Sequence, residues 1–202
     1  MTAYDSGITR NYEDKPFMTE KKSALTDAVR AMIGVKTEKV QVSLWGIERE
    51  DLRRFTQAIM DPDPRYWDDA FAKTTKFGGI VTPAIYCTYL NRKIPPGTVD
   101  PITLAFLRNP DSDGVEGVED AGRGALPSLP TTLKRVLNAG NEIEVFKYPT
   151  LGDRIYSQAK YANIAERFGK DGNPMLIVTT ELVYTDQNDA LLCILRSSLL
   201  IR

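Results

Sequence analysis

Residues 82–90 read TPAIYCTYL, and this stretch decides the fold. Thr82 is suited to cap a helix, and Pro83 is suited to the first helical position, where its missing N–H costs nothing. We therefore predict a helix over residues 82–92. The residues after Pro83 are apolar on nearly every side, whereas a surface helix has one apolar stripe. We expect this helix to be buried all round, which requires other structure to surround it.

The sequence after residue 140 changes to the two-residue period of β-strands. Four segments are predicted to be strands, NEIEVF, RIYSQAKYANI, MLIVTTELVYT and ALLCILRSSLLI, separated by turns at hairpin distances. A further alternating strand is predicted at residues 40–44. Because a curved antiparallel sheet of about five strands can surround a buried helix, the sequence predicts an α+β protein with the hot-dog fold. The alternative is a generic α+β sandwich.

The domain organisation is predicted to be simple. We divide the chain into a polar arm at residues 1–18 and a single domain at residues 19–202. Residues 95–130 hold six of the twelve prolines, five of the fourteen glycines and an excess of acidic residues. A structureless segment of this length is unusual inside a compact domain, so it is either a functional flap or an insertion. Two further helices are predicted, at residues 19–33 with Thr19 as the cap, and at residues 47–60.

The composition excludes several classes of function. Lys plus Arg number 26 and Asp plus Glu number 27, so there is no general electrostatic reason to bind nucleic acid or an anionic membrane. The chain has no histidine. This excludes Ser–His, Cys–His and Asp–His catalysis by this chain alone, as well as metal sites with histidine ligands. We expect neither a metal nor an organic cofactor.

The cysteines and the amino terminus indicate the compartment. Cys87 and Cys193 lie far apart inside apolar runs, and we interpret them as two buried thiols in a reducing environment. Residues 1–17 mix both charge signs and lack an apolar core, unlike a signal peptide. No apolar stretch approaches the length of about 18 residues that a membrane span requires. We therefore expect a cytoplasmic protein.

Two motifs carry a family resemblance: DPDPRYWD at residues 61–68 and GGIVTP at residues 78–83. They resemble the MaoC-like hydratases and dehydratases, especially the fatty-acid-synthase-like dehydratase half of that family. The family patterns are Asp-x-Asn-Pro-x-His-x-Asp, followed by Gly-Gly-x-x-x-Pro leading into the central helix. The pair Gly152-Asp153 also looks like a turn after the family's first core strand. The resemblance covers about residues 38–94 and 136–202 and implies the hot-dog fold.

The family resemblance implies the addition or removal of water across the double bond of an enoyl thioester. A carboxylate and an imidazole handle the water and the proton, and a glycine N–H stabilises charge on the thioester oxygen. Asp61 matches the carboxylate, and Gly78-Gly79 matches the oxyanion donor. Tyr66 stands where the family has its histidine, and a phenol with a pKa of about 10 is a poor base at neutral pH. The motif is therefore degenerate, and we assign no catalytic residue.

Each candidate residue also has an ordinary structural interpretation. Asp61 is suited to a turn, Tyr66 to the core or an interface, and the two glycines to a tight entry into the helix. Tyr86 and Tyr89 are one turn apart on the central helix and are suited to the core. Their hydroxyls need partners, which an acyl pocket or a subunit interface would supply. The candidate substrate-binding residues are Gly78, Gly79, Thr82, Tyr86 and Tyr89.

The leading functional hypothesis is an acyl-binding, non-catalytic subunit of a heteromeric enoyl-CoA hydratase or 3-hydroxyacyl dehydratase. A MaoC-like partner with the intact Asp and His would perform the chemistry. In the family, the degenerate half gives room to a bulky acyl group, which implies a fatty-acyl or steroid-side-chain thioester. Two alternatives remain: a homomeric hot-dog thioesterase in which Asp61 activates water, and a non-enzymatic acyl-CoA-binding scaffold. The last strand has apolar residues at both odd and even positions and therefore on both faces. We expect the isolated chain to self-associate.

Overall fold

The computed structural model describes residues 23–90, 97, 99–111 and 126–202. Helices come first along the chain and four long strands follow. The helices are α1 (Asp27–Arg30), α2 (Arg49–Ala58), α3 (Asp69–Thr74), α4 (Tyr86–Leu90) and α5 (Pro101–Arg108), with a 3₁₀ turn at Pro64–Tyr66. The strands are β1 (Val40–Gln41), β2 (Val136–Val145), β3 (Tyr156–Phe168), β4 (Pro174–Thr185) and β5 (Leu191–Ile201).

The five strands form one antiparallel sheet in the order β1-β3-β4-β5-β2. One row of directly opposed residues crosses four of these strands: Lys160, Glu181, Arg196 and Glu142. Their charges alternate, and Lys160 Nζ lies 2.7 Å from Glu181 Oε1. The sheet with α4 packed against its other face is the predicted α+β hot-dog fold.

The inner face of the sheet carries two hydrophobic clusters in succession. In β4, Leu176 and Val178 belong to one cluster, and Leu182 and Tyr184 belong to the other. All four have even numbers, so they point to the same face of the strand. We call the half around Tyr184 the helix half, since α2 and α4 cover it, and the half around Leu176 the arm half. Residues 24–35 and 126–133 cover the arm half.

The central helix differs from the prediction at its start and in its burial. It begins at Tyr86 rather than at residue 82, because the N–H of Thr82 donates to Pro149 O at 2.9 Å and Val81 forms a bridge with Thr150. Extended backbone therefore replaces the predicted cap. The helix is not buried all round either, since Ile85 beside it is 42% exposed and Tyr89 within it is 37% exposed. Residues 91–92 of the prediction lie outside the described residues.

Other predicted boundaries also change. The first helix begins at Asp27 and is capped by Thr26 Oγ1, not by Thr19; residues 1–22, including the predicted arm, lie outside the described residues. The segment predicted as structureless contains α5, whose N-terminus is capped by Asp100. The first long strand begins at Val136, ahead of the predicted NEIEVF, with a bulge at Asn138–Gly140. Residues 91–96, 98 and 112–125 are not described.

A β-bulge explains part of the apolar run in the last strand. Tyr184 pairs with Cys193 and Thr185 pairs with Leu191, which leaves Leu192 as an extra residue in β5. A bulge allows two successive side chains to face the core, and Leu192 and Cys193 are both buried. This accounts for part of the double-sided apolar pattern. Within the described part of the chain, no helix is both long and apolar enough to cross a membrane.

Candidate functional site

The DPDPRYWD motif folds into a compact turn directly after α2. The N–H of Asp61 donates to Thr56 O at 3.0 Å, and Asp61 Oδ1 accepts from the N–H of Asp63 at 3.3 Å. Asp63 Oδ1 accepts from the N–H of Arg65 at 2.9 Å and caps the 3₁₀ turn, with Pro64 at its start. Asp and Pro favour this geometry because the carboxylate mimics a backbone acceptor and proline fixes φ. Asp61 therefore has a turn role in addition to any chemical one.

A guanidinium occupies the middle of this turn. Arg65 Nε lies 2.9 Å from Asp63 Oδ2, and its hydrogen bonds and charge hold the pKa of Asp63 below its ordinary value. The guanidinium carbon also lies 5.7 Å from the ring centre of Tyr66 and 5.9 Å from that of Phe77, within cation–π range. Sequence reasoning missed Arg65 because it fills a variable position of the motif.

Tyr66, which stands where the family has its histidine, is 7% exposed. Burial and then the nearby charge of Asp61 raise the pKa of the Tyr66 phenol above its ordinary value of about 10. The phenol is therefore protonated at neutral pH and is not suited to act as a base there. Asp61 and Tyr66 are brought together as the motif implies, but they do not form an acid–base pair suited to neutral pH.

The Gly78-Gly79 segment runs beside this turn. The N–H of Val81 donates to Arg65 O at 3.3 Å, which places the segment alongside the motif. Gly78 has a φ of 69°, a conformation that favours glycine, and its N–H donates to Thr75 O at 3.1 Å. No backbone acceptor among the described residues contacts the N–H of Gly79. A Cβ at either glycine would meet nothing within 4 Å, so there is open space beside this peptide.

The loop that follows β2 contacts the chain just after the Gly-Gly segment, at Val81 and Thr82. It is held by Asp153, whose Oδ2 accepts from the N–H and Oγ1 of Thr150 at 2.8 and 2.9 Å. The same loop is also held by Asp186, which is 1% exposed and whose Oδ2 accepts from Lys147 Nζ at 2.7 Å. Although burial opposes ionisation, hydrogen bonds from Lys147 and two backbone N–H groups lower the pKa of Asp186. The family's Gly-Asp turn therefore fixes the backbone that Thr82 bonds to.

Aromatic residues complete the surroundings of Tyr66. The Tyr148 ring packs edge-on against Phe77 with ring centres 5.2 Å apart, and Tyr148 also interacts with Tyr66 and Arg65. Sequence reasoning missed Tyr148, which follows a strand and belongs to no motif. On the outer side, Asp61 lines an open pocket of about 490 Å³ with Arg53, Thr56, Gln57, Met60, Pro62 and Trp67.

The central helix contributes an aromatic cluster. Tyr86 is fully buried, and its ring centre lies 5.0 Å from that of Phe55 and 5.7 Å from that of Tyr89. Burial, together with the nearby Tyr89 and Glu48, raises the pKa of Tyr86 to about 12. Among the described residues, nothing forms a hydrogen bond with its hydroxyl. The sequence identified both tyrosines as candidates, and the structure adds Phe55.

The two cysteines meet in the helix half. Cys87 on α4 and Cys193 on β5 are both buried free thiols in one hydrophobic cluster. A hydrogen bond with Cys193 and burial raise the pKa of the Cys87 thiol. Two buried thiols were predicted, but their contact was not. Among the residues that the structure describes, no group of three or more Cys, Asp or Glu side chains is placed to hold a metal ion.

The comparisons with known proteins agree with this geometry. A family model described as "FAS1-like, dehydratase domain region" matches residues 31–195. A search of curated proteins finds no match. Among solved structures, a chain of the ChsH1-ChsH2 complex from Mycobacterium tuberculosis is similar, with a TM-score of 0.61 at 17% identity over 86% of this chain and 88% of that chain.

Two other structures have the same fold. A chain of the C-terminally truncated HadBC (3R-hydroxyacyl-ACP dehydratase) complex from Mycobacterium tuberculosis has a TM-score of 0.52 at 17% identity, over 84% of this chain and 96% of that chain. A MaoC-like dehydratase from Rhodospirillum rubrum has a TM-score of 0.53 at 14% identity, over 84% of this chain and 91% of that chain. At these identities the likeness shows the hot-dog fold alone.

Proposed function

The chain belongs to the family of FAS1-like dehydratase domain regions, and from this premise we propose that it is the acyl-binding, non-catalytic subunit of a heteromeric enoyl-CoA hydratase or 3-hydroxyacyl dehydratase. Its partner is a MaoC-like hot-dog chain that carries the intact Asp and His. The ligand is a thioester with a bulky fatty-acyl or steroid-side-chain group. Two of the similar structures are complexes, which supports a heteromeric assembly.

The observation that carries the proposal is the state of Tyr66. Hydration of an enoyl thioester needs groups that take up and release protons near neutral pH. Tyr66 is a buried phenol with a raised pKa, and the chain has no histidine to replace it. Asp61 alone would have to do the work of two groups. If a partner supplies the complete Asp/His pair, this chain needs only to bind the acyl group.

Acyl binding is supported by the groups around the central helix. Thr82 is fully buried at the entrance to α4, and the aromatic cluster of Tyr86 and Tyr89 follows it. The N–H of Gly78 is already bonded to Thr75, whereas the N–H of Gly79 has no backbone acceptor among the described residues. Gly79 is therefore the better placed donor for a thioester oxygen.

A protein partner is supported by the edge of the sheet. β2 lies at one end of the strand order and is exposed along almost its whole length. Leu137 within it is 48% exposed and Phe146 just after it is 53% exposed. An edge strand has a neighbour in its own sheet on one side only, so its other side is a site for pairing with another chain. The free thiols Cys87 and Cys193 suit a reducing compartment, and we place the complex in the cytoplasm.

One observation favours a second candidate, a homomeric thioesterase. Asp61 lines the open pocket of about 490 Å³, where water can reach its carboxylate. A carboxylate that activates water against the thioester carbonyl needs no histidine. If neither a partner nor hydrolysis is found, the remaining candidate is a non-enzymatic acyl-CoA-binding scaffold.

The proposal is tested by purifying the full chain alone and with proteins that co-purify with it. Hydration of a trans-2-enoyl-CoA is then measured for the chain alone and for the pair. We expect activity from the pair only, with a hot-dog chain containing the Asp/His pair as the partner. Release of free CoA thiol by the chain alone would support the thioesterase. Hydration by the chain alone would contradict the non-catalytic assignment.

A further inference from the structure

The hydroxyl of Tyr86 is an unsatisfied donor in the core. The side chain is fully buried, and no described residue forms a hydrogen bond with the hydroxyl. Only one other buried side-chain oxygen in the described part of the chain shares this condition, Thr185 Oγ1. A buried hydroxyl without a partner is unfavourable relative to one in water, so buried polar groups are nearly always paired. A phenylalanine would fill the same space without this cost.

Two aromatic rings lie close to Tyr86. Phe55 meets its ring edge to face with ring centres 5.0 Å apart, and Tyr89 lies 5.7 Å from Tyr86 and 5.0 Å from Phe55, so the three rings form one cluster. Phe55 is fixed on α2, which packs through the fully buried Leu52. Binding pockets for small molecules have this composition, with mostly apolar walls and a few placed polar groups.

Two neighbours of the buried Tyr86 side chain are themselves exposed to solvent. Tyr89 and Glu48 are close enough to influence its ionisation, and both are in contact with solvent, Tyr89 with 37% of its surface exposed. Tyr86 itself is held on the core side of α4, beside the buried Cys87.

We propose that the Tyr86 hydroxyl donates a hydrogen bond to an oxygen on the acyl chain of the ligand. The subunit then prefers an acyl group that carries a keto or hydroxyl oxygen along its length over a plain alkyl chain. This inference rests on the proposed acyl-binding function and narrows its substrate class. The fully buried position favours a slender ligand chain that passes beside Tyr89 over a side chain of a partner protein.

The test compares acyl chains that differ by one oxygen. Decanoyl-CoA and a set of decanoyl-CoA derivatives with one keto group at successive positions are titrated into the full chain, alone and with its partner. We expect at least one keto derivative to bind about tenfold more tightly than decanoyl-CoA, the effect of one satisfied hydrogen bond. Tyr86→Phe should abolish this preference, so that decanoyl-CoA and its keto derivatives bind with equal affinity.

Thermal unfolding of the ligand-free chain provides a second measurement. Tyr86→Phe should leave the melting temperature unchanged or raise it, because an unpaired donor is removed. Tyr161→Phe is the matched control. Tyr161 is also buried, but its hydroxyl donates to Pro127 O at 2.9 Å, so its removal should lower the melting temperature and leave the keto preference intact.

Four results would overturn the inference. These are no preference for any keto derivative, a preference that survives in Tyr86→Phe, a fall in the melting temperature of Tyr86→Phe as large as that of Tyr161→Phe, and an equal loss of affinity for all thioesters. The last would place the thioester carbonyl at Tyr86 instead. Binding of decanoyl-CoA without a keto preference would overturn this inference and leave the proposed function standing. Absence of binding by every acyl-CoA would overturn both.

Discussion

The two halves of the sheet's inner face differ in how completely their polar groups are satisfied. In the arm half, Glu166 accepts hydrogen bonds from Ser23 Oγ at 3.0 Å and from the N–H of Leu25 at 3.2 Å, and Tyr161 bonds to Pro127. In the helix half, Tyr86 has a buried hydroxyl without a described partner, and Tyr89 is an exposed aromatic side chain. A buried hydroxyl without a partner, as at Tyr86, is expected where a ligand binds.

This contrast separates residues that hold the fold from residues available for binding. The arm half is covered by segments that belong to no motif, and its contacts are those of an ordinary core. The helix half contains both family motifs and the Gly-Asp turn. Changes in the arm half should therefore alter stability alone, whereas changes in the helix half should separate into structural and functional classes.

The largest expected effect concerns catalysis in the helix half. Removal of a general acid or base typically costs about 10²–10⁴-fold in rate. In the active pair, we expect Asp61→Asn to leave kcat within about threefold of the native value, because Tyr66 cannot complete the acid–base pair. The matching Asp→Asn change in the partner should show the full loss. If Asp61→Asn abolished turnover and the matching change in the partner did not, this chain would be the catalyst.

The next largest effect concerns the buried carboxylate of Asp186, directly after β4. Asp186 accepts from Lys147 Nζ at 2.7 Å and from the N–H groups of Asn188 and Ala190 at 2.8 and 3.0 Å. Asp186→Ala leaves these donors unsatisfied, and we expect a loss of about 3 kcal/mol in the free energy of unfolding, measured with urea. Arg49→Ala, which breaks an exposed ion pair with Asp69, should cost less than about 1 kcal/mol.

The same carboxylate predicts a pH dependence. The pKa of Asp186 is lowered in the folded chain, so its contribution to stability is present above its unfolded pKa of about 3.9 and is lost as pH falls through the lower folded value. We expect the free energy of unfolding to fall below about pH 4, and Asp186→Asn to flatten that part of the profile. An unchanged slope in the variant would show that other carboxylates control the acid transition.

A smaller effect is expected where two backbone segments touch. A Cβ at Gly46 would lie 2.6 Å from Gly152 O and 3.0 Å from Gly152 C, so Gly46→Ala forces these segments apart. We expect a loss of about 2 kcal/mol, typical of overpacking against atoms that cannot move. Gly79→Ala is the matched control, because its Cβ would meet nothing within 4 Å. Equal losses from the two variants would show that the contact with Gly152 is not responsible.

The sequence predicted the strands well and the central helix less well. The four long strands have 10 to 13 residues each, and their two-residue period can be recognised in the sequence without knowing how the strands pack. The predicted start of α4 was wrong. Thr82 and Pro83 are residue types that often begin a helix, but the N–H of Thr82 donates instead to Pro149 O, which is distant in the sequence. The same reason explains why Tyr148 was missed at the site. Contacts between residues more than 60 positions apart leave no local signal, whereas Asp61, Tyr66 and the two glycines were found through a motif.

The smallest expected effect lies in the arm half and tests whether the two halves are independent. Glu166 holds the chain at residues 23–25 against β3 through bonds to one side chain and two backbone N–H groups. Glu166→Ala should lower the free energy of unfolding by about 1 kcal/mol, and Glu166→Gln, which keeps one oxygen acceptor, by about half as much. Neither change should alter the affinity for decanoyl-CoA, because the arm half contributes no group to the candidate site. A drop in affinity with Glu166→Ala, at a temperature where the chain remains folded, would mean that the arm half forms part of the acyl pocket.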